Sequence, residues 1–198
     1  MNKRVQQKRE TRNLLLKTAK QCFVQDGFLN TPVGKISAEA GVAHGTLFSH
    51  FKNKDTLILE VIDIEMGEIG EAIQDLLNQA EEVCDILYQY LTLIIQEEPF
   101  FAVLAKETPF YSIELRRKLI FRDSVIRSYF FQKISEENIE LSKGEITSAL
   151  NWLFGTINYY LANKEMYVQT GSVIEKFCTS IIKTFGKIIG DVYEKNCN

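Results

Sequence analysis

Apolar residues recur along this chain at intervals of three to four positions, which is the spacing of an amphipathic α-helix. Strand-like alternation, internal repeats and low-complexity linkers are absent from the sequence. The pattern therefore predicts an all-α protein of about nine helices. The predicted segments are 8–26, 32–40, 44–51, 54–78, 81–97, 100–106, 108–137, one beginning after Ser142, and one running from 172 to at least Val192.

Capping residues indicate where several of these helices begin. The segments Ser142–Glu145 and Ser172–Glu175 have the spacing of a capping box, which predicts the starts of the last two long helices. Asn53 is predicted to cap the helix that follows it. Thr108 followed by Pro109 predicts the start of a long helix that ends near Glu137.

The stretch Thr31 to Lys54 predicts two short helices joined by a tight turn. Thr31 is the expected N-cap and Pro32 the first helical residue, while Gly41 suits a left-handed turn. Leu47 and Phe51 should face inward. Such a helix-turn-helix can place its second helix in the major groove of DNA. The residues left on the outer side of that second helix are His44, Gly45, Thr46, Phe48, Ser49 and His50.

This stretch resembles the amino-terminal signature of the tetracycline-repressor (TetR) family of transcriptional regulators, over roughly Leu15 to Leu57. The matching positions are Gly27-Phe28, Thr31, Ile36-Ser37, Ala40-Gly41-Val42, Gly45-Thr46-Leu47-Phe48, His50-Phe51 and Lys54 to Leu57. Three positions depart from the family pattern. Ser37 replaces an alanine, Phe48 a tyrosine whose hydroxyl could reach a phosphate, and Ala43 a serine. Alanine at that cap position costs about 1 kcal/mol, unless His44 or Thr46 compensates.

The resemblance implies a helix-turn-helix DNA-binding head of three helices at residues 1–53. It also implies a helical ligand-binding and dimerisation body at residues 54–198. The protein would be a homodimeric regulator, most plausibly a repressor that a ligand releases from a palindromic operator. Two recognition helices would then stand about one DNA turn, ~34 Å, apart.

The predicted DNA contacts come partly from the resemblance and partly from the residues themselves. Thr31, Lys35 and Lys54 match family positions that touch phosphate, and Lys52 is a further cationic candidate. On the recognition helix, His44 is the favoured base reader, and Thr46 suits a thymine methyl group. The alternative for each side chain is a plain structural role: His50 in capping or packing, Thr46 as a helix-start hydroxyl and Phe48 in the core.

Charge is distributed unevenly between the two predicted parts. Residues 1–54 hold ten Lys/Arg and three acids, a balance of +7, whereas residues 55–198 hold thirteen and twenty-three, a balance of −10. The two sum to the overall −3. A basic head on an acidic body favours contact of the head alone with a polyanion, although a charge run is also typical of an ordinary solvated helix.

Other classes of protein have little support. Catalytic motifs are absent, and the histidines His44 and His50 are six apart, so they do not share a helix face as metal ligands would. We expect no cofactor and no metal. The longest apolar run, Phe100 to Ala105, is far shorter than the ~18 residues of a membrane span. Four cysteines without metal or redox spacing suggest reduced thiols and a cytoplasmic location.

The last two long helices carry wide apolar stripes. In the resembled family the corresponding pair forms a four-helix dimer interface, and we favour that interpretation over one in which both stripes face the monomer core. The interface residues expected are Leu150, Phe154, Ile157, Phe177, Ile181, Phe185 and Ile188. The family also places an effector pocket in the body. Our pocket candidates are Phe110, Tyr129, Asn151, Trp152 and Asn158, facing a small apolar or aromatic effector.

The sequence thus predicts a DNA-binding transcriptional regulator, not an enzyme. Two alternatives remain at this point. One is a helical small-molecule-binding module whose head has no DNA function. The other is a helical enzyme that uses the aromatic cavity and would need an acid or base inside it.

Overall fold

The computed structural model describes residues 3–79, 82–137 and 140–190, which contain ten α-helices and no strand. The all-α fold class is therefore confirmed. A single turn of 3-10 helix, Thr108–Phe110, lies between the sixth and seventh helices. The helices are α1 (Lys3–Asp26), α2 (Val33–Glu39), α3 (His44–His50), α4 (Lys54–Asn78), α5 (Val83–Gln96), α6 (Glu98–Glu107), α7 (Ile113–Glu137), α8 (Lys143–Ala162), α9 (Lys164–Tyr167) and α10 (Val173–Ile189). Within the described ranges, every helix is too short or too polar to cross a bilayer.

The head consists of α1, α2 and α3 around a small apolar core. Gly27 ends α1 with φ 89°, and Gly41 turns the chain between α2 and α3 with φ 66°, both left-handed conformations that suit glycine. Leu47 and Phe51 are buried, as predicted from their spacing. The helix-turn-helix thus has the boundaries that its glycine and apolar positions indicate.

The body is built from α4 to α10. Helix α4 packs on α7, α6 on α8, and α10 on both α5 and α8. Asn53 caps α4 by accepting a hydrogen bond from the backbone N–H of Thr56 at 2.9 Å. Ser142 and Glu145 form the predicted capping box at the start of α8. These local signals fix the starts of α4 and α8.

Aromatic side chains join the core of the head to that of the body. Phe28 lies against Phe23 of α1 at 4.8 Å between ring centroids. On its other side it meets Phe100 of α6 at 5.4 Å and Tyr111 at 6.3 Å, both edge to face. Such pairs are worth about 0.5–1.5 kcal/mol beyond their buried area. The head therefore rests on α6 as well as on α4.

Several predicted boundaries were wrong. Helix α1 begins at Lys3 and not near Lys8. Thr108 does not cap a long helix, because its hydroxyl donates to the Leu104 carbonyl and its backbone continues α6; α7 starts only at Ile113. The short α9 was not predicted. The predicted ends Glu81 and Val192 lie outside the described residues.

Candidate nucleic-acid interface and body cavity

Helix α3 presents one side to solvent and the other to the head core. His44, Gly45, Phe48 and Ser49 are exposed, and Thr46 and His50 are half-buried. The His44 ring meets the Phe48 ring edge to face at 5.3 Å between centroids. Ala43 caps α3 without a side-chain hydrogen bond, so neither His44 nor Thr46 compensates for the missing serine. Helix α3 is therefore short, weakly capped and largely polar on its outer side. A short helix with a polar outer side can enter the major groove of DNA.

The first turns of α1 extend this surface beyond α3. Arg4 and Lys8 lie with Gln7 and Thr11 along one wall of an open groove of about 290 Å³. Thr46, Ser49 and His50 of α3 form the other wall. The sequence interpretation missed this arrangement because it began the first helix only at Lys8. The spacing of Arg4 and Lys8, one helical turn apart, is the signal that could have indicated it.

His50 lies at the inner end of this groove. Burial, helped by the positive charges of Lys8 and Arg12, lowers the pKa of His50, so its imidazole is neutral at pH 7. Arg12 donates to the His50 carbonyl at 2.8 Å and stacks over Phe51 at 4.4 Å from the ring centroid. Its guanidinium also pairs with Glu60 of α4. Arg12 therefore holds the end of α3 in place, and its charge is not free for phosphate.

The three lysines predicted to contact phosphate occupy different environments. Lys52 is exposed. Lys35 pairs with Asp26 at 2.5 Å and with Glu39 at 3.5 Å, so it would have to exchange partners to meet a phosphate. Lys54 donates to the Leu29 carbonyl at 2.9 Å, and burial lowers the pKa of its ammonium group.

Thr31 is a correction to the predicted interface. Its side chain is fully buried, and its hydroxyl donates to the Gly27 carbonyl at 2.6 Å. It neither caps α2, whose N-cap is Pro32, nor faces solvent. The α1–α2 loop folds back over this residue, which removes it from the surface that could touch a phosphate.

The body encloses an open-mouthed cavity of about 190 Å³. Its wall is mostly apolar and comes from five helices, α4 to α8, with Met66, Tyr90, Leu104, Ile120, Phe154 and Leu161 as representative members. Three further side chains supply polar atoms: Thr108, Asp123 and Asn158. Apolar walls with a few polar groups are typical of small-molecule sites.

Of the five side chains predicted to line a pocket, Asn158 alone lines this cavity. Asn151 accepts a hydrogen bond from Arg127 at 3.2 Å. Phe110 is 75% exposed, and Tyr129 and Trp152 are half-buried elsewhere. On α8 the physical reason is that Leu153 and Phe154 face inward, which leaves Trp152 on the outer side of the helix.

The predicted dimer stripe is also corrected. Five of its seven members are buried within the monomer, namely Leu150, Phe154, Ile157, Ile181 and Phe185. Phe177 is half-buried and Ile188 is 40% exposed. The two helices still share an outer face, joined where Tyr160 stacks on Phe177 at 4.3 Å between centroids. Its exposed or half-buried members are Trp152, Gly155, Thr156 and Tyr159 of α8 with Phe177, Thr184 and Ile188 of α10. We call this the α8–α10 face.

Comparison with known proteins identifies the head. The family model described as bacterial regulatory proteins, tetR family, matches residues 15–61, which span the helix-turn-helix and the start of α4. The head belongs to the TetR family. The resemblance drawn from the sequence is thereby confirmed.

Similarity to one group of TetR-family regulators extends over most of the chain. The fatty acid metabolism regulator protein of Bacillus subtilis (strain 168) is 24% identical over 164 residues, covering 78% of this chain and 83% of that protein. The crystal structure of FadR from Bacillus subtilis in complex with stearoyl-CoA has a TM-score of 0.75 at 21% identity, over 87% of this chain and 96% of that one. FadR from Bacillus halodurans has a TM-score of 0.76 at 19% identity, over 93% and 97% of the two chains.

The predicted function is confirmed at this level: the chain is a DNA-binding transcriptional regulator with a TetR-family head. Its relatives are regulators and not enzymes, and neither alternative function finds support among them. Among the described residues, no cluster of His, Cys, Asp or Glu could hold a metal ion. The individual DNA contacts, pocket residues and interface residues stay predictions.

Proposed function

We propose that this TetR-family regulator is a homodimeric repressor that a fatty acyl compound releases from a palindromic operator. The observation that carries the proposal is the position of α6. Three residues of α6 line the body cavity: Phe101, Leu104 and Ala105. Thr108, which directly follows α6, lines it as well. The same helix touches the head directly, so a ligand that displaces α6 changes the position of the head.

The contact between α6 and the head is polar as well as aromatic. The Glu107 carboxylate accepts a hydrogen bond from the backbone N–H of Leu29 at 3.0 Å, while Lys54 donates to the Leu29 carbonyl. At the other end of α6, Lys20 of α1 lies 2.8 Å from both Glu65 and Glu97. These contacts support a rigid connection through α6 in addition to the linking helix α4. A ligand that prefers another position of α6 would shift the population of head spacings.

The head, proposed as residues 1–53, supplies the DNA contacts. His44, Gly45, Thr46, Phe48 and Ser49 would face base edges and sugars, with His50 at the groove wall. Lys35, Lys52 and Lys54 remain the proposed phosphate anchors. Arg4 and Lys8 join them, because a basic groove beside the recognition helix suits a phosphate strand.

The body, proposed as residues 54–198, supplies dimerisation and effector binding. Small side chains near the middle of the α8–α10 face, Gly155 and Thr156, would allow two copies to approach closely around a two-fold axis.

A regulator that acts on chromosomal DNA works in the cytoplasm.

The class of effector is supported by the cavity and by the names of similar proteins. The cavity wall is largely apolar, and its few polar groups suit one end of an amphiphile. One relative is named a fatty acid metabolism regulator, and one similar structure is described in complex with stearoyl-CoA. A saturated acyl chain therefore fits better than a polar metabolite.

The experiment has two steps. Operator sequences are selected from a random duplex library with the purified dimer, and their affinity is then measured by anisotropy with octanoyl-, palmitoyl- or stearoyl-CoA, with free CoA as control. We expect an inverted repeat, and an affinity at least about fivefold weaker with one acyl-CoA. Selection without an inverted repeat, or affinities unchanged by every acyl-CoA, would refute the proposal.

Replacing His44 with alanine should relax operator preference at one base pair and cost about 1–3 kcal/mol of specific binding, because His44 is exposed at the start of α3. Lys52→Ala is the matched comparison. It should weaken binding to every duplex alike and reduce the salt slope by about one. Anisotropy on single-base operator variants separates the two effects. If His44→Ala keeps the wild-type order of preference, His44 does not read a base.

A further inference from the structure

One stretch of the acidic body is rich in positive charge. Of the thirteen Lys/Arg residues in 55–198, four fall within seven positions near the start of α7: Arg116, Arg117, Lys118 and Arg122. This stretch also borders the cavity, since Ile120 and Asp123 line it. Ile120 is nevertheless 67% exposed, which puts it at the rim of the cavity mouth.

The acids near this stretch already have cationic partners. Glu114 pairs with Lys118 at 3.6 Å, and Asp123 pairs with Arg127. On α4, Asp63 pairs with Arg122. Neither Arg116 nor Arg117 forms an ion pair within the described part of the chain. Two positive charges are therefore left uncompensated beside the mouth.

The two arginines differ in their surroundings. Arg117 is exposed, so water satisfies its guanidinium. Arg116 is half-buried, and its Nε is inaccessible to solvent and has no hydrogen-bond partner among residues 3–79, 82–137 and 140–190. A buried donor without a partner costs free energy, which a ligand acceptor would recover.

Helical spacing places Arg116 on the cavity side of α7. Arg116, Ile120, Asp123 and Arg127 are separated by four, three and four positions, so they share one face of the helix. Ile120 and Asp123 on that face line the cavity, and Arg127 donates to Asn151 of α8. Arg116 thus lies on the cavity side of α7, one helical turn before Ile120 and beyond the rim of the cavity.

We infer that Arg116 is the binding site for the anionic head group of an amphiphilic effector whose chain enters the cavity past Ile120. The inference rests on the proposed acyl effector and adds the requirement for a negative charge. The size of the cavity agrees, because about 190 Å³ is below the ~300–1,000 Å³ of sites that enclose a whole drug-sized ligand. The polar end of the effector therefore stays at the mouth. A carboxylate and the phosphates of CoA share the chemistry that a guanidinium recognises.

The test compares three ligands with one chain length: decanoate, decanoyl-CoA and uncharged decanol. Calorimetric titration of the full-length dimer measures their dissociation constants with Arg116→Gln and with Arg117→Gln as the matched control. Arg116→Gln should weaken binding of at least one anionic ligand about tenfold and leave decanol unchanged. Arg117→Gln, which removes the same charge one position away, should change each constant by less than about threefold. Arg116→Lys, which keeps the charge and the aliphatic stem, should retain part of the selectivity.

The outcomes separate the two proposals. A loss confined to decanoate assigns the site to a fatty-acid carboxylate, and a loss confined to decanoyl-CoA assigns it to phosphate. If all three ligands bind and Arg116→Gln matches Arg117→Gln, the anion site is overturned while the acyl effector stands. If the wild-type dimer binds decanol but neither anionic ligand, the anion site is overturned. If it binds none of the three, the anion site is overturned and ten-carbon acyl effectors are excluded, while the longer acyl-CoA compounds are decided by the operator experiment.

Discussion

Replacing Gly155 with arginine should convert the dimer to monomers and weaken operator binding by about a thousandfold or more. Gly155 is exposed near the middle of the α8–α10 face. A Cβ atom added there meets no atom within 4 Å, so the monomer has open space at the start of a side chain. In a two-fold interface the change appears twice, and two guanidinium groups would enter a contact where helices approach to about 8–10 Å.

The effect on DNA follows from the loss of paired heads. Specific complexes are typically about 10³–10⁷ tighter than non-specific ones, and a single head reads only half of a palindrome. Sedimentation velocity measures the mass, and anisotropy measures operator affinity. Gly67→Arg is the control, because Gly67 is also an exposed helical glycine without a neighbour within 4 Å but lies on α4. A dimeric Gly155→Arg with full operator affinity would show that the interface lies elsewhere.

Replacing Glu98 with alanine should lower the free energy of unfolding by about 3 kcal/mol. Glu98 is 1% exposed and opens α6. Its carboxylate accepts hydrogen bonds from the backbone N–H groups of Val173 at 3.0 Å and Ile174 at 3.1 Å, and from the Ser172 hydroxyl. Lys164 lies 2.8 Å away. The change leaves these donors buried without an acceptor, which is the costly case for buried ion pairs.

Urea denaturation checks this value against Glu165→Ala. Glu165 directly follows Lys164 in the sequence and forms an ion pair with Lys106 at 3.1 Å, but its side chain is 71% exposed. Removing it should cost less than about 1 kcal/mol. Equal losses in the two variants would mean that the Glu98 cluster contributes no more than a surface ion pair.

The same carboxylate should make stability depend on pH. Burial alone would raise the pKa of Glu98, but Lys164, Ser172 and the N–H groups of Ile174 and Val173 together lower it below the ordinary value of 4.5. A depressed folded-state pKa stabilises the protein above the unfolded pKa, and this stabilisation disappears as pH falls through the folded value. The wild type should therefore lose stability below about pH 4.5 more steeply than Glu98→Gln. Parallel curves for the two proteins would contradict this.

The Glu98 cluster also illustrates what the sequence could predict. Ser172 does accept from the Glu175 N–H at 2.9 Å, so the serine half of the predicted capping box is present. The carboxylate that engages the Ser172 hydroxyl, however, comes from Glu98, seventy-four positions earlier. A helix cap joins residues three positions apart, so it can be predicted from the sequence. The contact between Glu98 and Ser172 depends instead on how α6 packs near the start of α10, which the sequence does not indicate. The cap at Asn53 was predicted for the same reason, because its partner Thr56 is three residues away.

The predicted dimer and pocket residues lie in other environments than expected for a related reason. Helices α8 and α10 each carry an apolar arc toward the core and a second surface beside it, and both contribute residues at helical spacing. Which arc faces inward is decided by the neighbours α5, α6 and α7, not by the helix itself. The cavity likewise arises where five helices pack incompletely. Incomplete packing between helices cannot be predicted from the sequence pattern of any one of them. The recognition helix was predictable because glycine and apolar spacing define it locally.

The central claim is that an effector in the body cavity and DNA at the heads oppose each other. Calorimetric titration of palmitoyl-CoA into the free dimer and into the dimer–operator complex tests it most directly. Linkage requires the operator to weaken acyl-CoA binding by the same factor by which acyl-CoA weakens operator binding, and we predict a factor of about five or more. Identical acyl-CoA affinities with and without operator would contradict the account.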